Sequence, residues 1–232
     1  HEGDVEMASG LQFTGCLFNA AQRLGIRSII NVSSKSVYSP DNVPPYNENS
    51  IPGPTTVYGA YKFSTELLLK SVLDLHTDIR GTSVRLSTVC GAGGGLVDVF
   101  VLSKFIIRAL KGEKIVVIGG KQEFDIIDIN DAASALAMLI ESDKALWKPV
   151  YNIGSEQQYN IVELAELSVS AASKLNGGIR SEIYVDNNED IYLKNITDSS
   201  IFRKDFCWKQ KTTIKETVMA MAEQYKKRRD LW

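Results

Sequence analysis

The sequence predicts an α/β fold with a largely parallel sheet, and three observations carry the prediction. Helical and extended hydrophobic periods alternate along the chain, which is the pattern of crossover units. Ile29-Ile30-Asn31-Val32 is a short apolar run that suits a parallel strand buried on both faces. The joining segments are dense in Gly, Pro and Asn, residues that favour turns and interrupt regular structure.

Taken in order, Glu6 to Leu24 reads as a helix stopped by Gly25, and Arg27 to Val32 as the strand that follows. Residues 41–56 form a loop rich in Pro, Asn and Gly. Tyr58 to Leu75 is an amphipathic helix with Leu67, Leu68 and Val72 expected on its core side. Thr82 to Val89 reads as one strand, running into Gly91-Ala92-Gly93-Gly94-Gly95 and a helix from Val97 to Leu110. Ile115–Ile118 and Phe124–Ile129 are short strands, and Asp131 is placed to cap a helix from Ala132 to Ile140. Val150–Ile153, a helix from Val162 to Lys174, a strand over Glu182–Val185 and a last helix over Ile214–Lys227 complete the reading.

The composition is that of an ordinary globular chain. Of 232 residues, 44% are apolar and 23% charged, enough to build one large core or one and a half. A net charge of −2 gives no case for nucleic acid or an anionic membrane as partner. The run Lys226-Lys227-Arg228-Arg229 closes the last helix, where cations complement the dipole. Cys16, Cys90 and Cys207 are odd in number and widely spaced; with His1 and His76 they offer no metal-ligand spacing. They read as free thiols of a reducing, cytoplasmic setting.

The chemistry centres on Tyr58-Gly59-Ala60-Tyr61-Lys62. A tyrosine and a lysine four apart on a helix lie one turn from each other on the same face. There an ammonium favours the phenolate, drawing the phenol's pKa from about 10 toward neutrality. Ser33 and Ser34 close the predicted strand before it, and a strand-end hydroxyl is suited to hold the same substrate oxygen. Such a site moves a proton at a carbinol or carbonyl, the partner reaction of hydride transfer to a nicotinamide. The spacing by itself is equally that of a surface lysine beside an interfacial tyrosine; order and surroundings distinguish the two. Gly91 to Gly95 is open to two readings, an amide cradle for phosphate or a flexible loop beside a pocket, and it lacks the Lys-Ser/Thr of a P-loop.

Those surroundings form a series. Ile29 to Tyr38 is similar to a strand-Ser-Ser-x-x-Val-Tyr signature, and Tyr46-Asn47-Glu48 to a Tyr-x-Glu patch. Arg85 to Gly91, Asp125 to Ala132, Tyr151-Asn152-Ile153-Gly154-Ser155, and Asp198 with Phe206-Cys207-Trp208-Lys209 follow in order. Together they resemble the extended short-chain dehydrogenase/reductase superfamily, in its NAD-dependent epimerase/dehydratase branch. The resemblance implies a Rossmann-like doubly wound parallel sheet with its first part missing, and a small carboxy-terminal α/β substrate-binding region. Residues 1–95 would be what remains of the Rossmann domain. Residues 96–232 would form the substrate region, with return elements over 124–153.

The resemblance also implies roles. Tyr58 would be the acid/base and Lys62 its electrostatic partner and a contact to the nicotinamide ribose, while Ser34 would hold the substrate oxygen. Ser33, Ser87, Thr88 and Val89 would adjoin NAD or NADP, and Lys35, Ser36, Thr88 and Cys90 the substrate. That substrate is expected to be a sugar nucleotide or related sugar. A homodimer through Phe13, Leu17, Phe18 and Leu67, Leu68, Leu69 is a further expectation. An epimerase or reductase suits the residues better than a dehydratase, since Lys35 and Ser36 follow Ser34 where an Asp-Glu pair would be needed. The reading from another class is a non-catalytic relative acting as a dinucleotide-binding scaffold or sensor.

Four departures accompany the resemblance. The amino-terminal βαβ unit and its glycine-rich turn are absent from the sequence, so the chain is expected to be part of a longer protein. Gly10 stands where the family has Asn, and Phe124 where it has a diphosphate-binding Arg. Asn187-Asn188-Glu189-Asp190 replaces an Arg-x-Gly-Asp stretch. Loss of both arginines removes two charge-assisted phosphate contacts.

Overall fold

The computed structural model describes residues 2–93, 101–186 and 194–228. The chain divides into two compact units, each drawing on three separated stretches. The first comprises His1–Ser87, Ser134–Gly154 and Thr197–Lys209; the second Thr88–Ala133, Ser155–Ile196 and Gln210–Trp232.

In the first unit, helix α1 (Glu2–Arg23) precedes strand β1 (Ser28–Ser34). Gly25 between them has φ +73°, the left-handed geometry that ends helices. Helix α2 (Val57–Leu75) leads to β2 (Arg80–Leu86), which pairs in parallel with β1 on one side and with β6 (Val150–Ile153) on the other. The order β1-β2-β6 leaves β1 at the edge of this sheet, and Val32 is 40% exposed. Within the described residues Ser28 to Ile30 are half-buried, so this strand is less covered than its apolar run suggested. A short helix α6 (Ser200–Phe206), not read from the sequence, packs on β6. Phe202 and Phe206 meet the buried Tyr151 ring edge-on at 5.5 and 5.4 Å.

The α2 core face also differs from expectation. Leu67 is 50% exposed, while Leu69 and Glu66 are buried. The buried stripe runs through a carboxylate because an arginine waits for it on the sheet, as described below.

The second unit holds β3 (Thr88–Cys90), β5 (Glu123–Asp128) and β7 (Gln158–Asn160) in that order, with β9 (Lys194–Asn195) on β5; β4 (Ile115–Ile118) pairs with β8 (Ile183–Asp186). The single strand expected over Thr82–Val89 is thus two. The ladder of β2 ends at Leu86, and Thr88 pairs with Ile126 in another sheet. Helices α3 (Val101–Lys111), α5 (Ile161–Leu175) and α7 (Ile214–Lys227) pack together around Leu102, Ile106, Leu164, Val218 and Met221. Asn160 and Thr213 start α5 and α7 with full capping boxes to Glu163 and Glu216. Lys226 donates to the Leu175 carbonyl, so part of the terminal basic run caps a neighbouring helix end.

Helix α4 (Ile129–Glu141) begins earlier than expected, with the Asp128 carboxylate accepting from the Asn130 amide at 2.8 Å. Asp131 does not cap it. Its two oxygens accept instead from the Lys211 and Thr212 amides at 3.0 and 2.9 Å, because that strand-like stretch arrives with unsatisfied donors.

Candidate active site

Strand β1 ends in two serines whose side chains alternate across the pleat. Ser34 turns into the three-residue 3₁₀ segment Lys35–Val37; its Oγ accepts from the Ser36 amide and donates to Ser36 Oγ, both at 3.2 Å. Ser33 donates to Glu66 Oε1 at 2.5 Å. Lys35 is buried and Ser36 half-buried.

Helix α2 is brought to this strand end by its own first turn. Thr56 caps it, accepting from the Gly59 amide at 3.0 Å. Gly59 lies so close to the 3₁₀ segment that a Cβ there would stand 2.3 Å from the Ser36 carbonyl oxygen and 2.9 Å from Pro54 Cβ. Glycine is needed here for proximity, and the contact brings the first turn of α2 against the 3₁₀ segment. Tyr58 is 53% exposed. Lys62, one turn on, donates to the Val32 carbonyl at 3.0 Å, with its ammonium 5.7 Å from the Tyr58 ring centroid and 5.6 Å from that of Tyr61.

A third residue of this helix face was missed from the sequence. Glu66 lies eight residues beyond Tyr58 and four beyond Lys62, so it continues the same stripe. Its carboxylate accepts from Arg85 Nε at 3.0 Å and Nη2 at 2.7 Å, besides the bond from Ser33. Both side chains of the pair are buried. The available signal was the Tyr-Lys-Glu repeat of four together with an arginine in the following apolar strand.

Arg85 extends the network. Its guanidinium lies 4.7 Å from the Tyr38 ring centroid, and Tyr38 donates to Asn152 Oδ1 at 2.7 Å. Asn152 in turn donates from Nδ2 to the carbonyls of Tyr46 and Asp198, and its amide donates to Glu48 Oε1. Burial shifts the Arg85, Tyr38 and Glu48 groups in different senses. It pulls Arg85 down, but hydrogen bonding and charge from Glu66 leave that group raised overall. Burial pushes the Tyr38 phenol and the Glu48 carboxyl up. Three motifs of the sequence series (around Tyr38, Tyr46 to Glu48 and Tyr151-Asn152) are thus one polar cluster supporting β2 and β6.

Ser87 follows β2 and is buried, and its Oγ makes no hydrogen bond. Thr88 and Val89 are half-buried and Cys90 buried in the second unit. Gly91 packs on Ile129, where a Cβ would come within 2.4 Å of Cγ2; Gly94 and Gly95 lie outside the described residues. Phe124 is buried on β5, and Asn187 to Asp190 lie outside the described residues. Gly10, where asparagine was expected, lies under the Tyr61 ring. Among the described residues no three His, Cys, Asp or Glu side chains are grouped to hold a metal ion. No described helix is long and apolar enough to cross a membrane.

Comparison with known proteins places this arrangement. The chain is 26% identical over 165 residues to the UDP-glucose 4-epimerase of Corynebacterium glutamicum, covering 65% of this chain and 50% of that protein. It is 29% identical over 161 residues to UDP-glucuronic acid decarboxylase 1 of Danio rerio, covering 65% and 36%. To the dTDP-D-glucose 4,6-dehydratase of Mus musculus it is 25% identical over 223 residues, covering 94% and 61%. The chain spans less than two thirds of the length of each of these relatives. Its fold is shared with the UDP-glucose 4-epimerase of Thermotoga maritima solved with UDP-glucose, at a TM-score of 0.81 and 22% identity over 98% of this chain and 72% of that one. A UDP-glucuronic acid 4-epimerase of Bacillus cereus solved with NAD superposes with a TM-score of 0.79 at 20% identity, covering 94% and 65%. The profile described as the NAD dependent epimerase/dehydratase family matches residues 4–154. That stretch holds β1, α2, β2 and the serine, tyrosine and lysine of the site, and the chain belongs to this family.

Proposed function

We propose that the protein of which this chain forms at least part is an NAD-dependent epimerase or oxidoreductase acting on a carbinol or keto group of a sugar nucleotide or related sugar. The observation that carries this is Lys62. Its bond to the Val32 carbonyl fastens the Tyr58 face of α2 to the strand that ends in Ser34. This supports Tyr58, Lys62 and Ser34 acting together at the carboxyl end of β1, where open α/β sheets bind ligands.

The residues present fit the reactive end of a nicotinamide dinucleotide. Lys62 would bond its ribose, and the unsatisfied buried Ser87 Oγ at the end of β2 is a group awaiting a polar partner. When bound, the nicotinamide supplies hydride acceptance and return. Tyr58, as its phenolate, would take the hydroxyl proton of the substrate as that carbon is oxidised, and the phenol so formed would give it back on reduction. Ser34, released from Ser36, orients the oxygen. Lys35 and Ser36 after Ser34, in place of an acidic pair, favour epimerisation or reduction over dehydration. The named relatives that act on UDP- and dTDP-sugars support a sugar nucleotide as substrate.

A homodimer through α1 and α2 accompanies this reading, supported by Phe13, Leu17 and Leu67, which are 67%, 53% and 50% exposed.

The test uses the full-length protein. NAD binding is expected to weaken at least tenfold in Lys62→Met. Tyr58→Phe is expected to keep binding while turnover of a sugar-nucleotide panel falls by about 10²–10⁴, the usual weight of general acid–base catalysis. Wild-type protein that binds no dinucleotide would sink the reading, and binding without turnover of any tested sugar would favour the scaffold.

A further inference from the structure

We propose that Tyr61 is a positioning residue: its ring, seated on the bare backbone of Gly10, holds the Lys62 ammonium at the Tyr58 face of α2. The inference rests on the reading of Lys62 given above, and it starts from a cost. Gly10 lies in the interior of α1, where glycine is less favourable than alanine by about 1 kcal/mol. The structure gives a reason for it. A Cβ on residue 10 would stand 3.0 Å from Tyr61 Cε2, 3.1 Å from Cζ and 3.3 Å from the hydroxyl oxygen. The phenol therefore occupies the volume that a side chain at position 10 would fill, and the two positions are matched in size.

The edges of this seat are also defined. Thr14, one turn beyond Gly10, bonds the Gly10 carbonyl at 2.9 Å, and its Oγ1 lies 3.5 Å from the Tyr61 hydroxyl. At that distance the hydroxyl contact is weak, so the ring and not the OH is the working part. The same ring also lies over against the lysine. Lys62 Nζ is 5.6 Å from the Tyr61 centroid and 5.7 Å from the Tyr58 centroid, both inside cation–π range. With the Val32 carbonyl at 3.0 Å, the ammonium has three partners, and two are aromatic faces. Tyr58 is half exposed and offers little restraint of its own. Tyr61 is fixed by α1 and supplies the rigid wall.

The consequence is that Tyr61 acts on the reaction only through Lys62. Competitive acetylation with a limiting amine reagent, read by mass spectrometry on the full-length protein without dinucleotide, measures how firmly Lys62 is held. Lys70 on the same helix is the exposed reference, and the buried Lys35 reports any general loosening. In Tyr61→Ser, labelling of Lys62 relative to Lys70 should rise at least fivefold with Lys35 unchanged. Tyr61→Phe, which keeps the ring, should restore the slow labelling. The second measurement is NAD binding in a cycle of Tyr61→Ser and Lys62→Met. Tyr61→Ser alone should weaken binding severalfold and should add no loss in the Lys62→Met background.

Unchanged labelling in Tyr61→Ser overturns the proposal. So does faster labelling with undiminished NAD binding, a loss that adds in full to that of Lys62→Met, or a parallel rise at Lys35. If wild-type protein binds no dinucleotide while Lys62 labelling still responds to Tyr61→Ser and is restored by Tyr61→Phe, the placement of Lys62 by Tyr61 stands and the proposed function falls.

Discussion

Glutamine in place of Glu66 is the most informative single perturbation of the site's support. The Arg85 and Glu66 side chains are 4% and 7% exposed, so neither charge is relieved by solvent. The carboxylate accepts three bonds, at 2.5 Å from Ser33 and at 3.0 and 2.7 Å from Arg85. Glutamine has nearly the same shape but offers one acceptor oxygen, and its amide donors face the donors of Arg85 or Ser33. Hydrogen bonds to charged groups contribute about 1.5–3 kcal/mol each, so losing the two from Arg85 sets a scale of about 3–6 kcal/mol. Leaving one member of a buried pair without its counter-charge costs about 3–5 kcal/mol by independent reckoning. The two scales overlap at about 3–5 kcal/mol, which is the loss expected. Urea unfolding followed by tryptophan emission is a suitable assay, since Trp147 and Trp208 both lie in the first unit. With a slope of about 2–3 kcal/mol per molar, the midpoint should fall by roughly 1–2.5 M. Replacing the whole pair, Glu66→Leu with Arg85→Met, should recover more than half of that loss, because no buried charge is then stranded. A Glu66→Gln unfolding free energy within about 1 kcal/mol of wild type, or a double variant as damaged as the sum of the singles, would refute the clamp.

Three further outcomes are expected. Gly59→Ala places a methyl 2.3 Å from the Ser36 carbonyl oxygen, and overpacking should destabilise the first unit by about 1–3 kcal/mol despite alanine's better helix propensity, an effect the same urea assay reads. Burial raises the Glu48 carboxyl above its ordinary value of 4.5, with the Asn152 amide opposing. The fold therefore prefers the neutral acid: its contribution is fully present below the unfolded value and is lost as pH rises through the folded one. Wild type should lose stability relative to Glu48→Gln on going from pH 4.5 upward, and parallel stability profiles would contradict this. For the proposed dimer, Leu17→Glu with Leu67→Glu in the full-length protein should halve the mass measured by light scattering, and a wild-type monomer would dispose of the interface.

What could be seen in advance follows from the range of each interaction. Helices α5 and α7 were read nearly to the residue because their capping groups and apolar periods are local. The helix stripe of Tyr58 and Lys62 was visible as spacing, and Ser34 as a strand end. Glu66 was not, since its place in the same repeat of four gains meaning only once β2 brings Arg85 against it. Asp131 was misassigned for a related reason: a carboxylate before an apolar period is a good cap, but amides some 80 residues later compete for it. The division between β2 and β3 was hidden because Thr82 to Val89 is one apolar alternation, and only tertiary pairing shows that Leu86 and Thr88 belong to different sheets.

The interleaving of the two units has a consequence for how the chain is made. The β1–β2 pair is complete once residue 86 has been translated, but β6 arrives with Val150 to Ile153 and α6 only after Ser200. At about 5–20 residues per second, the nascent first sheet waits on the order of 5–20 s for the segment that covers Tyr151. The second unit stays incomplete through that interval as well, because α7 follows α6 in the chain. Neither unit is a self-sufficient intermediate on the ribosome, and holding factors that shield apolar strands during synthesis should matter more to this chain than to one whose domains follow each other in sequence.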